Sequence, residues 1–400
     1  MQKRNFGNFI CRLCGGSNLH EVVVLKSMPF TDEFVKKENI GKEYLNDIEI
    51  GVCSDCGITQ NINDTDMANY YNDYEYSVGG SRKANKFMKI LADRTKDTFF
   101  EDTSSLVPTV LEIGSGSGEQ LEMFKSSGFC VIGVEPSEPL SKVANKKDIL
   151  TLNNFFNDDL IKSIPSDFRE LDCIISSYTF DHIPYINDTF KTINKILKDD
   201  GKLIVEVHDL DLITKRIEFC LFEHEHYIYL NKQTAMDLFR LNGFDIITFD
   251  LLSDEEKRAN SLLIVAEKCR DKPLMASKVS IDVSLKLLSE KVFENIQNID
   301  TWLEANRDKK IAGYGCGGRG VMTLAALKNY SFVDFVVDKN PKGENIYLPK
   351  THLPVKNIMA LKNNRVDYII IFSYGYFDEI VEELTSYGYS RDQFISLLDF

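Results

Sequence analysis

The stretch LEIGSGSG, residues 111–118, places three glycines at alternate positions directly after the apolar run VPTV. Glycine lets the backbone turn sharply and lets a ligand approach the N-terminus of a following helix. GEQLEMFKSSG and CVIGVEP come next, with the patterns of a helix closed by Gly128 and of a second strand ending at Glu135. A carboxylate at that strand end can accept hydrogen bonds from both hydroxyls of a ribose. The stretch therefore predicts a nucleotide-type cofactor loop; a glycine turn that binds nothing is the alternative.

Strand and helix patterns continue to alternate after this loop. LSKVANKK, DILTLN, LDCIISSY, TFKTINKILKDDG and GKLIVEVHD read as helix, strand, strand, helix and strand. The helix TAMDLFRLNG then precedes FDIITFDLL and SLLIVAEK, which predict a closing hairpin. This order is typical of a doubly wound α/β fold with a mainly parallel sheet, so residues 79–275 are predicted to form the core domain.

Four of the nine cysteines form two CxxC pairs, each followed by glycine. A two-residue gap lets both thiolates of a pair reach one ion, and four protein ligands leave no open position for catalysis. The intervening residues must form strands, around HEVVVLKS and NDIEIGVC. Residues 1–78 are therefore predicted to be a domain with structural zinc; four buried free thiols are the alternative. The predicted ligands are Cys11, Cys14, Cys53 and Cys56.

A second glycine loop, GYGCGGRG at residues 313–320, satisfies the spacing GxGxxG, and Asp338 ends the next predicted strand. Taken alone, this pattern favours NAD binding. A long amphipathic helix at residues 280–306 precedes it. The unit has about four predicted strands, too few for a complete dehydrogenase. Residues 276–400 are therefore predicted to form a second, smaller Rossmann-like α/β domain.

The chain has 61 acidic and 47 basic residues, for a formal net charge of −14. That charge would repel a polyanion, so we expect no nucleic-acid partner. No apolar run is long enough to span a membrane, and the first residues lack the apolar core of a signal peptide. We expect a cytoplasmic protein without a membrane partner. Its oligomeric state is open, and a monomer is compatible with the sequence.

LEIGSGSGEQLEMFKSSGFCVIGVEPS resembles the loop and second strand of class I S-adenosylmethionine-dependent methyltransferases. The resemblance implies that the glycine loop contacts the methionine and ribose parts, and that the acid after the second strand holds the ribose. A sulfonium cofactor is a cation, which the acids Glu112, Glu119 and Glu135 favour. The cofactor residues implied are Glu112, Gly114, Gly116, Gly118, Glu135 and Pro136, with Asn153 and Phe155 as weaker candidates for the adenine edge and face.

KKIAGYGCGGRGVMTLAAL, FVDFVVDKNP and YLPKTHLPV together are similar to the C-terminal domain of bacterial sugar C-methyltransferases, which act on nucleotide-linked ketosugars. That family has the same order of domains: zinc-binding, methyltransferase core, Rossmann-like. The resemblance implies that the second glycine loop faces the pyrophosphate of a nucleotide sugar. The substrate-binding residues implied there are Tyr314, Gly315, Gly318 and Arg319.

The stretch FEHEHYIYL, residues 222–230, lies after the fifth core strand, where the family has active-site residues. Glu225 and His226 match the family pattern, whereas Glu223 stands where a tyrosine is expected. C-methylation beside a ketone needs a base for the α-proton and a group that stabilises the enolate oxygen. The catalytic candidates are His226 or His182 as the base, Glu225 tuning the imidazole, Tyr74 or Tyr76 at the enolate oxygen, and the neighbours Glu223 and His224.

Several alternatives remain open at this stage. The histidines of FEHEHYIYL would fit a metal site, although an extended strand would separate the imidazoles from the carboxylates. The stretch also fits a solvated acidic turn without a role. His208 is compatible with either the core or the pocket. At the level of function, O-methylation of a sugar hydroxyl and an NAD-dependent activity of the second loop are the alternatives to C-methylation.

Overall fold

The computed structural model describes residues 9–65, 67, 70–73, 82–101, 107–269, 283–339, 341 and 343–400. The candidates Tyr74 and Tyr76 lie outside this part of the chain. The described residues form a four-stranded N-terminal sheet, a seven-stranded central sheet, a five-stranded C-terminal sheet and a two-stranded ribbon. This mixed α/β architecture agrees with the predicted fold class.

The N-terminal sheet is built around an antiparallel pair, as HEVVVLKS and NDIEIGVC predict. Ile48, Ile50 and Val52 alternate along the second strand of that pair and are fully buried, because successive side chains of a strand point to opposite faces. The elements of this region are β1 (Leu19–Pro29), β2 (Val35–Lys36), β3 (Leu45–Cys53) and β4 (Thr59–Asn61).

The central region alternates strands and helices, with the closing hairpin predicted from FDIITFDLL and SLLIVAEK. Its elements are α1 (Arg82–Phe99), β5 (Thr109–Ile113), α2 (Glu119–Ser126), β6 (Cys130–Val134), α3 (Glu138–Lys146), β7 (Thr151–Leu152), β8 (Leu171–Ser177), α4 (Ile186–Ile196), β9 (Leu197–Val207), α5 (Leu210–Arg216), β10 (Ile228–Tyr229), α6 (Lys232–Leu241), β11 (Phe244–Thr248) and β12 (Leu262–Lys268). The sheet order is β11-β12-β9-β8-β5-β6-β7, parallel from β9 to β7 and antiparallel at β12 and β11.

Two features of the central region differ from the expectation. The last turn of the helix predicted for TFKTINKILKDDG belongs to a strand instead, because β9 begins at Leu197. β9 pairs with β8 at Leu197 and, after an irregularity in the register, again at Lys202, which lies opposite Cys173. In addition, β10 was not predicted from the sequence; it joins the N-terminal sheet by pairing with β4, which places Ile228 opposite Gln60. This pairing brings the stretch FEHEHYIYL against the zinc domain.

The C-terminal region contains one more parallel strand than the four expected. Its elements are α7 (Val283–Ala305), β13 (Ile311–Tyr314), α8 (Gly318–Ala326), β14 (Phe335–Asp338), β15 (Ile346–Tyr347), β16 (Val355–Asn357), α9 (Ala360–Asn363), β17 (Tyr368–Ile371), α10 (Phe377–Ser386) and β18 (Phe394–Ser396). The sheet order is β16-β14-β13-β17-β18, all parallel, and β15 pairs with β2 of the N-terminal region.

One hydrophobic cluster joins the three regions. Ile48 of β3, Phe222 of the segment before β10, Leu288 of α7 and Val321 of α8 belong to it, and each is at most 1% exposed. The segment that carries FEHEHYIYL is therefore packed between the zinc domain and the C-terminal domain. Within the described ranges, no helix is long and apolar enough to cross a membrane.

Candidate active site

A cavity of about 1450 Å³ lies at the carboxyl ends of the central strands, the edge of an α/β sheet at which ligands bind. The first glycine loop forms part of its wall. The predicted residues that line it are Glu112, Gly114, Gly116, Glu135, Pro136, Phe155 and His182. The cavity therefore brings the predicted cofactor loop and one predicted catalytic histidine to the same space.

The loop holds its shape through positive backbone angles and the carboxylate of Glu135. Gly114 has a φ of 71°, and a Cβ at this position would lie 2.3 Å from the side chain of Thr179. The backbone N–H of Gly116 donates a hydrogen bond to Glu135 Oε2, and the backbone N–H of Ser137 donates one to Glu135 Oε1, each at 2.8 Å. The carboxylate after the second strand thus fixes the loop on the cavity wall.

Several buried polar atoms on this wall have no hydrogen-bond partner among the described residues, and a bound polar ligand would satisfy them. Burial raises the pKa of Glu112, and the nearby charges of Glu119 and Glu135 raise it further. Burial also raises the pKa of Glu135. A cation in the cavity would reverse these shifts. These features fit a cationic cofactor with amino and hydroxyl groups. The atoms are Glu112 Oε2, Ser115 Oγ, Gln120 Oε1 and Ser177 Oγ.

Two of the predicted cofactor residues, Gly118 and Asn153, do not line the cavity. Gly118 precedes α2 with a φ of 85°, and a Cβ there would lie 3.2 Å from Ala144. Asn153 donates hydrogen bonds to the backbone carbonyls of Glu135 and Pro136, at 3.0 and 2.8 Å. Both residues therefore support the loop from behind.

The stretch FEHEHYIYL is buried and irregular. Glu223, His224, Glu225 and His226 are 6%, 2%, 7% and 3% exposed, so the interpretation as a solvated turn is wrong. The N–H of His226 donates to the carbonyl of Glu223 at 3.3 Å, which closes a turn before β10. Because the segment is a turn rather than a strand, consecutive side chains can contribute to one site.

The two histidines of this stretch face different surroundings. His224 has its Nε2 2.9 Å from the carbonyl of Met28, and its ring lies 5.5 Å from the rings of Phe30 and Tyr44. His226 donates from Nδ1 to the carbonyl of Leu221 at 2.8 Å, which leaves the lone pair on Nε2. His224 thus packs on the N-terminal domain, and the two imidazoles do not form a metal-binding pair.

Three imidazoles and Asp181 form a cluster behind the cavity wall. The ring of His226 lies 4.8 Å from that of His182 and 5.3 Å from that of His208, between centroids. Asp181 has one oxygen 3.8 Å from His182 Nε2 and the other 3.7 Å from His208 Nδ1. Burial lowers the pKa of His182 to about 3 and that of His208 to about 4, so both are neutral near pH 7. The cluster therefore contains two imidazoles, those of His182 and His208, that carry no charge near pH 7.

Two carboxyl groups and a tyrosine complete the surroundings. Glu223 and Glu225 hydrogen-bond to each other; burial raises the pKa of Glu223 to about 7 and holds that of Glu225 well above its usual value. The hydroxyl of Tyr71, on the cavity wall, lies 3.2 Å from His182 Nδ1. Tyr71 has no role in the expectations above and His208 was left open, although Tyr71 lies in the same tyrosine-rich run, YYNDYEY at residues 70–76, as Tyr74.

The second glycine loop does not line the cavity. It packs against residues 222–230, which carry predicted catalytic residues and are called the catalytic segment below for that prediction: a Cβ on Gly318 would lie 2.4 Å from a carboxyl oxygen of Glu223. Arg319 has a guanidinium nitrogen 3.8 Å from Glu218 and its Cζ 5.1 Å from the centre of the Tyr374 ring. The predicted contacts of Tyr314, Gly315, Gly318 and Arg319 with substrate remain predictions.

The four predicted zinc ligands converge. The Sγ atoms of Cys11 and Cys56 lie 3.6 Å apart and those of Cys14 and Cys53 lie 3.7 Å apart. Thiolates around a tetrahedral zinc, with Zn–S of about 2.3 Å, lie about 3.8 Å from each other. The neighbouring thiols lower the pKa of Cys11 to about 2, whereas Cys11 raises that of Cys53 to about 12. Because one thiolate opposes ionisation of the next, the set fits a bound dication that stabilises all four.

Comparison with family models assigns three consecutive segments. Residues 11–71 match a model described as "Putative zinc binding domain", residues 84–249 match "Methyltransferase domain", and residues 288–398 match "C-methyltransferase C-terminal domain". The matches follow the order of the three regions described above. They also assign the second glycine loop to a C-methyltransferase domain.

Among curated proteins, C-methyltransferase NovU of Streptomyces niveus is 23% identical over 403 residues, covering 96% of this chain and 94% of that protein. An uncharacterized methyltransferase of Staphylococcus carnosus is 32% identical over 149 residues, which span 36% of this chain and 61% of that protein. The first match extends over all three domains, and the second is confined to part of the chain.

Two solved structures share similarity with about half of the chain. The PH0226 protein of Pyrococcus horikoshii has 17% identity and a TM-score of 0.38, covering 50% of this chain and 98% of that one. The plantazolicin methyltransferase BpumL in complex with SAH has 14% identity and a TM-score of 0.38, covering 51% and 89%. The family assignment rests on the three matched models and on the full-length relative. The chain is a member of the three-domain C-methyltransferases, which are S-adenosylmethionine-dependent enzymes with a zinc-binding N-terminal domain.

Proposed function

We propose that the protein methylates a carbon next to the ketone of a nucleotide-linked sugar. One observation carries the proposal: His182 borders the same cavity as Glu112 and Glu135, and its ring centre lies 4.8 Å from that of His226, with the two ring planes tilted by 51°. The two imidazoles that we propose as the general base therefore lie next to the cavity bordered by the cofactor loop. The similarity of the C-terminal segment to sugar C-methyltransferases supports the substrate class.

The imidazoles of His182 and His226 act as one acid/base unit in this proposal. The hydrogen bond from His226 Nδ1 to the carbonyl of Leu221 leaves Nε2 as the basic nitrogen. Burial lowers the pKa of His182 to about 3, so this ring is neutral near pH 7 before the reaction. The α-proton moves from carbon to this imidazole pair, and the electron pair that it leaves forms the enolate. Asp181, between His182 and His208, stabilises the protonated ring.

The remaining residues orient the substrate and the cofactor. S-adenosylmethionine, when bound by Glu112, the glycine loop and Glu135, supplies an electrophilic methyl group on its sulfonium. Glu225 tunes the imidazole of His226, since their ligand atoms lie within 4.8 Å of each other. Tyr74 or Tyr76 donates a hydrogen bond to the enolate oxygen, as the family resemblance implies.

O-methylation of a sugar hydroxyl is the second candidate. The observation that favours it is Glu223, which replaces the tyrosine expected from the family and has a pKa raised to about 7 by burial. A carboxylate with that pKa can act as a base for a hydroxyl group. O-methylation requires neither a ketone nor exchange of a carbon-bound proton.

Proton exchange separates the two reactions. The enzyme is incubated in deuterated water with a nucleotide ketosugar and S-adenosylhomocysteine, which completes the site without a methyl group to transfer. C-methylation predicts deuterium at the α-carbon by mass spectrometry, and loss of this exchange in His226→Asn and His182→Asn. His20→Asn, on β1, is the matched control and should exchange normally. A methyl ether product without exchange would contradict the proposal.

Metal analysis tests whether the histidine cluster works without an ion. Asp181, His208 and His226 have ligand atoms within 4.8 Å of one another, a composition that also suits a divalent metal. The acid/base proposal predicts one zinc per chain, held by the four cysteines. A second equivalent that disappears in His226→Asn would assign the cluster to metal binding instead.

A further inference from the structure

Arg258 is a buried cation on the cavity wall for which neither the family resemblance nor the proposed reaction gives a role. It lies between β11 and β12, and its side chain is 16% exposed. It lines the cavity together with Glu112, Gln120 and Tyr178. A buried charge is costly unless it is paired, so its position calls for a physical reason.

The guanidinium is fixed from the side away from the cofactor loop. Its NH1 donates to Glu206 at 2.9 Å, and the other oxygen of Glu206 accepts from the hydroxyl of Ser261 at 2.8 Å. Its Cζ lies 4.9 Å from the centre of the Tyr178 ring. The hydrogen bond to Glu206 uses one of five N–H donors, and a planar guanidinium presents the others as a fork that matches a carboxylate.

The opposite charge lies on the same part of the wall. Glu112, Gln120 and Arg258 all line the cavity, and Gln120 and Arg258 also border one small pocket together with Glu206. The guanidinium opposes the rise of the pKa of Glu112 that burial causes. Glu112 Oε2, Gln120 Oε1 and Ser177 Oγ are buried there without partners among the described residues. This end of the cavity thus offers acceptors for an ammonium group beside donors for a carboxylate. Such an arrangement complements the zwitterion of an α-amino acid.

We propose that Arg258 binds the α-carboxylate of the methionine part of S-adenosylmethionine, while Glu112 and Gln120 accept hydrogen bonds from its ammonium group. Glu206 balances the charge of Arg258, so the guanidinium adds little net repulsion to the sulfonium. The adenosine part then lies toward Glu135 and Phe155. The inference depends on the cofactor and is independent of the proposed sugar substrate.

A pair of ligands tests the assignment by calorimetry, without turnover. S-adenosylhomocysteine contains the amino-acid group, and 5′-methylthioadenosine lacks it. Arg258→Gln should weaken the binding of S-adenosylhomocysteine by about tenfold to a hundredfold, since a charge-assisted hydrogen bond is lost, and leave that of 5′-methylthioadenosine within about threefold. Arg94→Gln is the control, because Arg94, on α1, forms an ion pair of 2.9 Å with Glu256, two residues before Arg258 in the chain. Equal losses for both ligands, or none, would overturn the proposal.

Two further measurements address the folding of the variant. The double variant Glu206→Gln/Arg258→Gln removes the pair together, so no buried carboxylate is left without its cation, and it should show the same selective loss. The unmodified protein is also compared with S-adenosylhomocysteine and its decarboxylated analogue. The analogue should bind at least about tenfold more weakly. Equal affinity for the two would reject a carboxylate contact whatever the variants do.

Discussion

Two glycine-rich loops in this chain precede helices at the carboxyl ends of parallel strands, yet they have different surroundings. The loop after β5 borders the cavity, and its Gly116 N–H is bonded to Glu135 on the cavity wall. The loop after β13 is covered by the chain itself. Gly318 lies against the carboxyl group of Glu223, and Asp338 accepts from the N–H of Cys316 at 3.3 Å.

The difference shows that glycine spacing alone does not identify a ligand. A helix N-terminus attracts any negative group, whether it belongs to a phosphate or to a nearby side chain. In the second loop the carboxyl group of Glu223 lies beside Gly318, the first residue of α8. A pyrophosphate, whether of NAD or of a nucleotide sugar, could bind at this position only if Glu223 moved away. In the first loop carboxylates surround an open space, which favours a cation. The groups that surround a glycine loop therefore say more about its ligand than the spacing of its glycines does.

Alanine in each loop should give the largest contrast. Gly114→Ala combines a φ of 71° with a Cβ that would lie 2.3 Å from Thr179, so binding of S-adenosylhomocysteine should weaken by at least about 100-fold. Gly318→Ala displaces only the end of the flexible Glu223 side chain. It should reduce turnover while leaving the affinity within about threefold. Calorimetry and turnover are compared for both variants, and similar affinity losses would show that the second loop also holds the cofactor.

Loss of zinc should affect the second loop more than the first. β10 pairs with β4 of the zinc domain, and Glu223, which covers the second loop, precedes this strand. Cys53→Ser should therefore reduce turnover by about tenfold to a hundredfold, through displacement of the catalytic segment, with affinity for S-adenosylhomocysteine within about fivefold.

Cys130→Ser, at an exposed cysteine, serves as the control for this substitution and should behave as the unmodified protein does. Zinc content by mass spectrometry reports the state of the site. A loss of cofactor affinity as large as the loss of turnover would mean that the zinc domain supports the whole fold rather than the catalytic segment.

Glu135, after β6, and Asp338, at the end of β14, are the corresponding acids next to the two glycine loops. Their substitution should give an effect on cofactor affinity of intermediate size. Glu135→Gln keeps the shape but removes the charge that accepts from the N–H groups of Gly116 and Ser137 and that we propose to hold the ribose, so binding of S-adenosylhomocysteine should weaken by about tenfold. Asp338→Asn is the equivalent change in the second unit and should leave this binding unchanged. Titration calorimetry with NADH completes the comparison, since tight binding abolished by Asp338→Asn would restore the NAD interpretation.

The sequence predicted the domain order, the central sheet and the zinc site because these depend on local signals. Alternation of strands and helices, paired CxxC motifs and a glycine loop after a strand each lie within short segments. The pairing of β10 with β4 could not be predicted, since it joins Ile228 to Gln60 over a long stretch of chain. That pairing is what buries the stretch FEHEHYIYL.

In the candidate site, too, some residues could be predicted from local sequence patterns, whereas others depend on contacts between distant segments. His182 and His226 carry a resemblance that the sequence shows, whereas the positions of Tyr71, His208 and Arg258 follow from packing between distant segments. Asn153 was assigned to the adenine edge from its place after the third strand, yet its amide bonds to the backbone of Glu135 and Pro136. A single sequence gives the residue types near a site, but not which of them bond to the protein itself.

The smallest expected effect concerns the protonation of the carboxyl group that covers the second loop. Burial raises the pKa of Glu223 from 4.5 to about 7, so the folded state holds this proton more tightly than the unfolded chain. Its contribution to stability is complete below pH 4.5 and is lost as the pH rises through about 7. Glu223→Gln cannot ionise, so its melting temperature relative to the unmodified protein should rise by a few degrees between pH 5 and pH 8.

Glu170→Gln, at an exposed position, is the control and should show no such trend. Melting temperatures of the three proteins are measured by calorimetry across this range. A difference that stays constant from pH 5 to pH 8 would contradict this assignment, because Glu223 would then keep one protonation state over the whole range. If that state were the carboxylate, a full negative charge would lie beside Gly318 at every pH tested, and the contrast with the open first loop would be one of electrostatics as well as of packing.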